Sequence, residues 1–308
     1  MNWVIETRSL TKEYGPIRAV DDLSLQVPQG GVFGLLGPNG SGKTTTMGML
    51  LGLVRATAGA IRLFGDPVEG VHPHALRRIG AIVEEPSFYP YLSGRNNLRY
   101  FQGIGGNGSR DEVDRLLETV GLAERAGSKF HTYSMGMKQR LGIAYALLGD
   151  PEVLFLDEPT NGLDPAGMAE IRDLIRELSG SGRTVLLSSH LLHEVEQVCD
   201  SVAILSRGRL IAQGNVQELL KGQGTVRLST TDDAQAVGVL SALDWVVDVT
   251  MDQGGLVVTA PPERSPELTA ALAHAGIYVG QMATVQVSLE EYFLEVTGGQ
   301  QEPEAEGA

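Results

Sequence analysis

A glycine-rich stretch at residues 37–44, GPNGSGKT, contains the residue types that most clearly indicate chemistry. It follows an apolar run, VFGLL, typical of a buried strand, and precedes TTTMGMLLGL, which has helical spacing. Glycines let backbone N–H groups approach an anion without an intervening Cβ, and the N-terminus of a helix favours negative charge. The stretch therefore predicts a phosphate-binding loop, in which Lys43 neutralises the β- and γ-phosphates and Thr44 offers its hydroxyl to Mg²⁺.

Two adjacent carboxylates stand at the end of a second apolar run, VLFLDEPT. Asp157 falls where the strand emerges, which is the position of a metal-binding carboxylate in an open α/β sheet. Glu158 is suited to orient and deprotonate an attacking water. Together with the phosphate loop at 37–44, this pair predicts nucleoside triphosphate hydrolysis but does not identify the kind of NTPase.

Alternating strand and helix patterns surround these residues and must position them. After VLFLD come a helical pattern (AEIRDLIREL), a strand (TVLLSS) and another helix (LLHEVEQV). Such alternation predicts right-handed crossovers and a parallel sheet, hence an α/β fold. Nearer the start, Leu23, Leu25 and Val27 alternate as in a half-buried strand, and residues of about 86–150 have mainly helical spacing.

The pattern changes after about residue 221, where Gly222, Gln223 and Gly224 form a plausible linker. Residues 222–298 then follow the order βαββαβ, which predicts a small accessory α+β domain. The last residues, 299–308, are acidic and carry no bulky apolar side chain, so we expect a disordered tail.

Composition limits the classes of partner. The 308 residues have a net charge of −14 and no clustered run of Lys and Arg, so we expect no nucleic-acid partner and no electrostatic attachment to anionic lipid. No apolar run approaches the ~18–20 residues of a membrane-spanning helix, so direct insertion into lipid is not expected. The start lacks the features of a signal peptide, and the lone Cys199 fits a reducing compartment, which together predict a cytosolic chain.

The stretch YSMGMKQR, ahead of the DEPT segment, resembles the signature motif of ABC ATPases, with Ser134 and Gly136 at its serine and glycine. Asn161 to Asp164 resembles the D-loop of that family, His190 its switch histidine and Tyr14 its adenine-stacking aromatic. The six matches occur in the family's order over roughly residues 3–221. The resemblance implies a P-loop NTPase fold: a parallel core sheet, an N-terminal antiparallel β subdomain and a helical subdomain at about 86–150.

The resemblance also implies a division of labour among these residues. Lys43, Glu158 and His190 are the expected catalytic residues, and Thr44 and Asp157 the expected Mg²⁺ ligands. Ser134 and Gly136 bind the nucleotide of a second subunit, which is a second copy of the chain or a homologous ATPase domain, so a complete site needs two domains placed head to tail. The expected nucleotide-binding residues are Tyr14, Gly37, Pro38, Asn39, Gly40, Ser41, Gly42, Lys43, Thr44, Thr45, Glu84, Ser134, Gly136 and Asp164.

One position departs from the family pattern. ABC domains usually have glutamine in the loop after the strand RIGAIV, whereas this chain has Glu84. A carboxylate can coordinate Mg²⁺, so Glu84 is a third expected ligand, but it adds negative charge near the triphosphate. The surrounding IVEEPSFYPYLSGRNNL resembles bacitracin and lantibiotic self-protection exporters, where Glu often occupies this position. The terminal VSLEEYFLEVTG similarly resembles the SLEE-x-F motif of drug- and antibiotic-export ATPases.

We therefore expect a homodimeric ATPase that uses Mg-ATP to drive a separate ABC-2-type permease, at the inner face of the cell membrane. Antibiotic, antimicrobial-peptide or drug efflux is the expected task. Two alternatives remain at this point: a soluble ABC ATPase acting on nucleic acid or ribosomes, and a low-turnover, ATP-gated sensing subunit. Phe88 and Tyr89 are interpreted either as core of the helical subdomain or as part of a groove that contacts the permease.

Overall fold

The computed structural model describes residues 3–68, 73–84, 86–105, 109–220, 224–252, 255–285 and 288–297. The strands up to residue 215 are β1 (Trp3–Tyr14), β2 (Ile17–Leu23), β3 (Gln26–Pro28), β4 (Gly31–Leu36), β5 (Ala58–Leu63), β6 (Asp66–Val68), β7 (Ile79–Ile82), β8 (Val153–Asp157), β9 (Thr184–Ser189), β10 (Ser201–Ser206) and β11 (Arg209–Asn215). The helices of the same region are α1 (Lys43–Leu50), α2 (Pro73–Leu76), α3 (Gly94–Gly105), α4 (Arg110–Thr119), α5 (Met135–Ala146), α6 (Pro165–Gly180) and α7 (Leu192–Val198). These elements make up the first of two compact units; along the chain, the first unit ends at Gly214 and the second begins at Asn215.

The core sheet of the first unit has the order β11-β10-β4-β9-β8-β7. The pairs β10–β4, β4–β9, β9–β8 and β8–β7 are all parallel, which confirms the α/β fold predicted from the alternating pattern. The carboxyl ends of these strands therefore lie along one edge of the sheet. Because the phosphate loop, the two carboxylates, His190 and Glu84 each follow a strand end, the topology brings their backbones to this edge.

The contacts of strand β4 show that the core sheet is covered on both faces. Phe33 and Leu35 belong to the core that the sheet shares with α1 and the N-terminal strands. Gly34, between them, faces the opposite side of the sheet. A Cβ there would lie within 3.0 Å of Val195 in α7 and of Cys199, the residue that caps the C-terminus of α7. Strands buried on both faces read as continuous apolar runs, as VFGLL and VLFLD do.

The N-terminal strands form a second, antiparallel sheet in which β1 pairs with β2, β3 and β5. The side chains of Leu23, Leu25 and Val27 are fully buried, in agreement with their alternation in the sequence. They do not lie in one strand, however, because β2 ends at Leu23 and β3 begins at Gln26. The two strands pair with different parts of β1.

The helices α3, α4 and α5 contact one another and form the helical part of the first unit. The ring of Phe88 packs edge-on against Phe101, Phe130 and Tyr145, with centroid distances of 5.7, 5.2 and 6.0 Å. Phe88 is thus a half-buried member of an aromatic cluster in this region. Tyr89, by contrast, is exposed at the surface, and its hydroxyl lies 3.2 Å from that of Tyr100.

The second unit contains α8 (Val216–Leu220), β12 (Thr225–Thr230), α9 (Asp233–Ser241), β13 (Asp248–Asp252), β14 (Gly255–Thr259), α10 (Ser265–His274), β15 (Val279–Val285) and α11 (Leu289–Val296). Its sheet has the order β13-β14-β12-β15, all described pairs being antiparallel. The core lies between this sheet and the helices α9 and α10. The element order βαββαβ agrees with the sequence pattern and corresponds to the ferredoxin-like arrangement.

The boundary between the units falls a few residues before the position expected at 221, because α8 contacts α11 and groups with the second unit. α11 begins at a capping box, in which Ser288 and Glu291 exchange side chain-to-backbone hydrogen bonds. This gives a local physical reason for the SLEE sequence. The linker residues 222 and 223 and the expected disordered tail at 299–308 lie outside the described residues. Among the described helices, none has the length and apolar character needed to cross a membrane.

Candidate nucleotide-hydrolysis site

Two glycines of the phosphate loop are required by their surroundings. A Cβ on Gly37 would lie 2.2 Å from the carbonyl oxygen of Leu205, and one on Gly42 would lie 2.6 Å from that of Ala19. Both residues, and Gly40, have positive φ angles. Helix α1 begins directly after Gly42 with no side-chain cap, so its first N–H groups are available to an anion.

Lys43 and Thr44 connect this loop to the carboxylates at the end of β8. Lys43 is buried, and its Nζ donates to the Gly37 carbonyl at 2.8 Å and lies 3.4 Å from Glu158 Oε1. The Thr44 hydroxyl lies 3.1 Å from Asp157 Oδ2 and donates to it. The phosphate loop at 37–44 and the carboxylates at 157–158, both recognised in the sequence, are therefore in direct contact.

Glu158 leaves β8 in a left-handed backbone conformation, with φ of 46°. This conformation is uncommon outside glycine and persists only where neighbouring groups enforce it. Glu158 Oε2 lies 2.8 Å from Nδ1 of His190, the residue after β9. A proton on Nδ1 makes the ring the donor of this hydrogen bond, which orients the imidazole against the carboxylate.

The remaining loop residues are distributed between surface and interior. Pro38 and Asn39 are exposed, and Thr45 is half-buried at the start of α1. Ser41 is buried: its carbonyl accepts a hydrogen bond from Gly208 N at 3.1 Å, while its hydroxyl has no partner among the described residues. A buried hydroxyl without a partner at the base of this loop is a group that a polar ligand can satisfy.

Among the described residues, Tyr14 and Glu84 make no hydrogen bond or ion pair with the phosphate loop, the two carboxylates or His190. Tyr14 is half exposed at the end of β1, and Lys12 Nζ lies 4.6 Å from its ring centroid. Glu84 follows β7 in a left-handed conformation, φ 66°, and its exposed side chain makes no hydrogen bond or ion pair with a described residue. Their roles in adenine stacking and Mg²⁺ binding stay predictions.

The signature residues lie at the N-terminus of α5. The hydroxyl of Ser134 accepts a hydrogen bond from Met137 N at 3.3 Å, so Ser134 caps this helix. A Cβ on Gly136 would have one neighbour within 4 Å among the described residues, Leu163 at 3.9 Å, and Asp164 caps α6 by accepting a hydrogen bond from Gly167 N. No hydrogen bond joins this cluster to residues 37–44 within the described part of the chain. The exposed end of α5 is thus open to a group from outside the chain.

The donor set at Thr44 and Asp157 fits a hard cation. Both residues offer oxygen atoms, the ligands that Mg²⁺ prefers, and they already lie within hydrogen-bonding distance of each other. In the described ranges no group of three or more His, Cys, Asp or Glu side chains is arranged around a common point. Mg²⁺ commonly takes its other ligands from phosphates and water, so two protein oxygens are compatible with a Mg-nucleotide site.

Ser188 is a contact residue of this site that the motifs did not identify. It lies opposite Asp157 in the parallel register of β8 and β9, donates to Asp157 Oδ1 and accepts from Glu158 N at 2.9 Å. The available signal was positional: a hydroxyl residue near the end of the predicted strand TVLLSS, two residues before His190.

Comparisons with known proteins agree with this geometry. The family model described as ABC transporter matches residues 20–161. The bacitracin transport ATP-binding protein BcrA of Bacillus licheniformis is 40% identical, over 97% of this chain and 99% of its own length. The daunorubicin resistance ATP-binding protein DrrA3 of Streptomyces coeruleorubidus is also 40% identical, over 93% of each chain.

Among solved structures, CbiO1 of Clostridium perfringens, part of the ABC transporter complex CbiONQ, is 28% identical with a TM-score of 0.65. The match covers 71% of this chain and 91% of CbiO1. The identity over nearly the full length of curated relatives, the shared fold and the contact between the phosphate loop and the paired carboxylates lead to one conclusion: the chain belongs to the family of ABC transporter ATP-binding proteins.

Proposed function

We propose that this ATPase subunit drives a separate ABC-2-type permease that exports an antibiotic, an antimicrobial peptide or a hydrophobic drug. The observation that carries the proposal is the 40% identity to a bacitracin transport protein and to a daunorubicin resistance protein. Both matches span at least 93% of this chain, so they include the second unit as well as the ATPase unit. The residues that contact the cargo are expected in the permease, so the class of cargo is tested by the cellular experiment described below.

In the hydrolytic step, Glu158 acts as the general base that takes a proton from the attacking water. Its hydrogen bond to His190 fixes the carboxylate, and Lys43 supplies positive charge beside the phosphates. Thr44 and Asp157 would hold Mg²⁺, which when bound neutralises charge on the β- and γ-phosphates. Glu84 is proposed as a further oxygen ligand from the neighbouring strand end.

The active assembly is a head-to-tail dimer of two copies. Ser134 and Gly136 lie at the positive end of α5 and make no hydrogen bond with the phosphate loop of their own chain in the described residues. A helix N-terminus attracts a phosphate through its free N–H groups and dipole. Each α5 would therefore face the γ-phosphate bound by the partner copy, so ATP holds the dimer closed and hydrolysis releases it.

The permease would contact a groove of about 620 Å³ beside β7, lined in part by Leu53, Phe101, Ile104 and Tyr145. Leu53 and Ile104 are exposed apolar side chains, and aromatic residues are enriched at protein interfaces. An intracellular helix of the permease fits such a groove, since an amphipathic helix binds by its apolar face. This contact would place the subunit at the inner face of the cell membrane without insertion into lipid.

Replacement of the chain by its Glu158→Gln variant in the source cells tests the proposal. The variant binds ATP but does not activate water, so we expect increased sensitivity to at least one of bacitracin, a lantibiotic or daunorubicin. Glu177→Gln, which removes an exposed carboxylate from α6, is the matched control and should leave sensitivity unchanged.

The purified proteins separate export from ATP turnover. We expect ATP hydrolysis by the unmodified chain and by Glu177→Gln, and loss of at least about 100-fold in kcat for Glu158→Gln. Unchanged sensitivity to all three compounds, with normal turnover of the control, would reject the export task alone. Turnover of the unmodified chain no higher than that of Glu158→Gln would instead favour a sensing subunit.

A further inference from the structure

The hydroxyl of Ser188 is fully buried and lies between the two carboxyl residues of the site. It donates its proton to Asp157 Oδ1 and accepts the backbone N–H of Glu158 at 2.9 Å. A serine hydroxyl has one proton, so the contact with Asp157 uses its entire donor capacity. The hydroxyl therefore donates its one proton within the site.

The position of Ser188 at the end of the strand ladder explains why such a contact is needed. Asp157 and Ser188 form the last register pair between β8 and β9. The next residue, Glu158, turns away from the strand pairing with φ of 46°, so its N–H has no strand carbonyl to donate to and uses Ser188 Oγ instead. A buried N–H without a partner is destabilising, and a left-handed glutamate needs enforcement from its surroundings.

The orientation of both carboxylates follows from this one hydroxyl. Holding the N–H of Glu158 fixes the turn that aims its carboxylate at Nδ1 of His190, 2.8 Å away. The bond to Oδ1 of Asp157 leaves Oδ2 directed at the Thr44 hydroxyl, 3.1 Å away. A displacement of either carboxylate by a few tenths of an ångström alters the hydrogen bonds that define the site.

We propose that Ser188 is a positioning residue for ATP hydrolysis, which sets the orientation of the base Glu158 and of the Mg²⁺ ligand Asp157. Ser188 does not touch the reacting atoms and acts through its two neighbours. This inference rests on the proposed roles of Glu158 and Asp157.

The test compares Ser188→Ala with Thr184→Val. Thr184 lies at the opposite end of β9, is also buried, and accepts a hydrogen bond from Gly30 N at 2.7 Å. Both substitutions remove one buried hydroxyl from the same strand, so a purely structural effect should lower the unfolding temperature of both. Only Ser188→Ala alters the site.

For Ser188→Ala we expect kcat to fall roughly 10- to 100-fold, as for the loss of a hydrogen bond to charged groups, while KM for ATP changes by less than about threefold. At saturating Mg²⁺, the affinity for a trinitrophenyl-ATP probe should also stay within about threefold, whereas the Mg²⁺ concentration that gives half-maximal binding should rise several-fold. Thr184→Val should retain kcat within about twofold. Equal kcat in the two variants would overturn the proposal.

Conservative variants keep the test decisive if Ser188→Ala does not fold. Ser188→Thr retains the hydroxyl, and Ser188→Cys retains the size but is a weak donor. We expect high ATP turnover for Ser188→Thr and low ATP turnover for Ser188→Cys. Equal turnover of these two variants would reject the positioning role.

The Glu158→Gln variant separates this inference from its premise. If Glu158→Gln keeps normal turnover, the assignment of the base is wrong. If Glu158→Gln is inactive and Ser188→Ala is fully active, only the role of Ser188 is wrong. With both roles correct, Ser188→Ala should lower the rate less in the Glu158→Gln background than in the unmodified chain, because only its effect through Asp157 remains.

Discussion

Gly37 and Gly40 both have positive φ angles, but their surroundings differ. A Cβ on Gly37 would lie 2.2 Å from a backbone carbonyl and 2.5 Å from Ser41 Oγ, whereas one on Gly40 would have no described residue within 4 Å. We expect Gly40→Ala to lose about 1 kcal/mol of stability, from the left-handed backbone alone. Gly37→Ala should lose several kcal/mol because backbone must move, and nucleotide binding should fail with it.

Urea unfolding of both variants in the absence of nucleotide, followed by titration with trinitrophenyl-ATP, measures these effects. Equal unfolding free energies would show that the close approach at Gly37 does not constrain the loop.

At the residue scale, the sequence predicted those residues whose spacing is fixed by one local turn. Residues 37–44 form a single strand–loop–helix connection, and Asp157 and Glu158 are adjacent. Ser188 was not predicted, because its importance comes from the register of β9 against β8, which local spacing does not encode. Glu84 and Tyr14 were assigned by resemblance, and among the described residues neither makes a hydrogen bond or ion pair with the phosphate loop or the two carboxylates.

Gly34 controls how closely α7 approaches the core sheet. A Cβ at this position would lie 2.9 Å from Val195 Cγ1 and 3.0 Å from Cys199 Sγ. We expect Gly34→Ala to destabilise the first unit by about 1–3 kcal/mol, as overpacking does in other cores. Gly180 lies at the end of α6, where a Cβ would have no neighbour within 4 Å in the described part of the chain. Gly180→Ala is therefore the matched control and should be neutral or slightly stabilising.

The reactivity of the Cys199 thiol gives a second measurement, separate from the unfolding free energy, of whether α7 moves away from Gly34. Burial raises the pKa of the Cys199 thiol well above its ordinary value, with the neighbouring Asp200 adding to the shift. The thiol therefore stays protonated and unreactive at pH 8 in the intact chain. Labelling by a thiol reagent under native conditions should be faster in Gly34→Ala than in Gly180→Ala. Equal labelling rates would mean that α7 does not move.

At the scale of elements, strands with uninterrupted apolar runs were the easiest to predict. VFGLL and VLFLD correspond directly to β4 and β8. The long strand β1 was harder, because its pairing with β2 and β5 is interrupted by register shifts and its alternation breaks at Ser9, φ 47°. A bulged strand loses the period of two on which strand prediction depends.

At the scale of the whole molecule, the sequence predicted two units but misplaced the boundary. Gly222 to Gly224 has linker composition, yet α8 lies before it and groups with the second unit through its contact with α11. Contacts between residues about 70 positions apart decide such a boundary, and composition does not report them. The same limit applies to the permease, whose identity depends on a surface and not on a motif.

The proposed head-to-tail site would make dimerisation depend on ATP and on the N-terminal end of α5. In Glu158→Gln, ATP should bind without being hydrolysed, so the protein should elute as a dimer with ATP and as a monomer without it. Ser134→Asp retains a residue that caps helices well, so α5 should remain intact. Its carboxylate would face the partner's γ-phosphate, a repulsion of about 1–4 kcal/mol at close range. Glu158→Gln with Ser134→Asp should therefore stay monomeric at ATP concentrations that dimerise Glu158→Gln.

Ser109→Asp in the same Glu158→Gln background is the matched control, because Ser109 is the exposed residue that precedes α4. It adds the same charge at another helix N-terminus of the same unit, so ATP should still produce the dimer. Size-exclusion chromatography with light scattering distinguishes these outcomes. An ATP-dependent dimer in the Ser134→Asp variant, with an affinity equal to that of the control, would show that the two copies do not meet through α5.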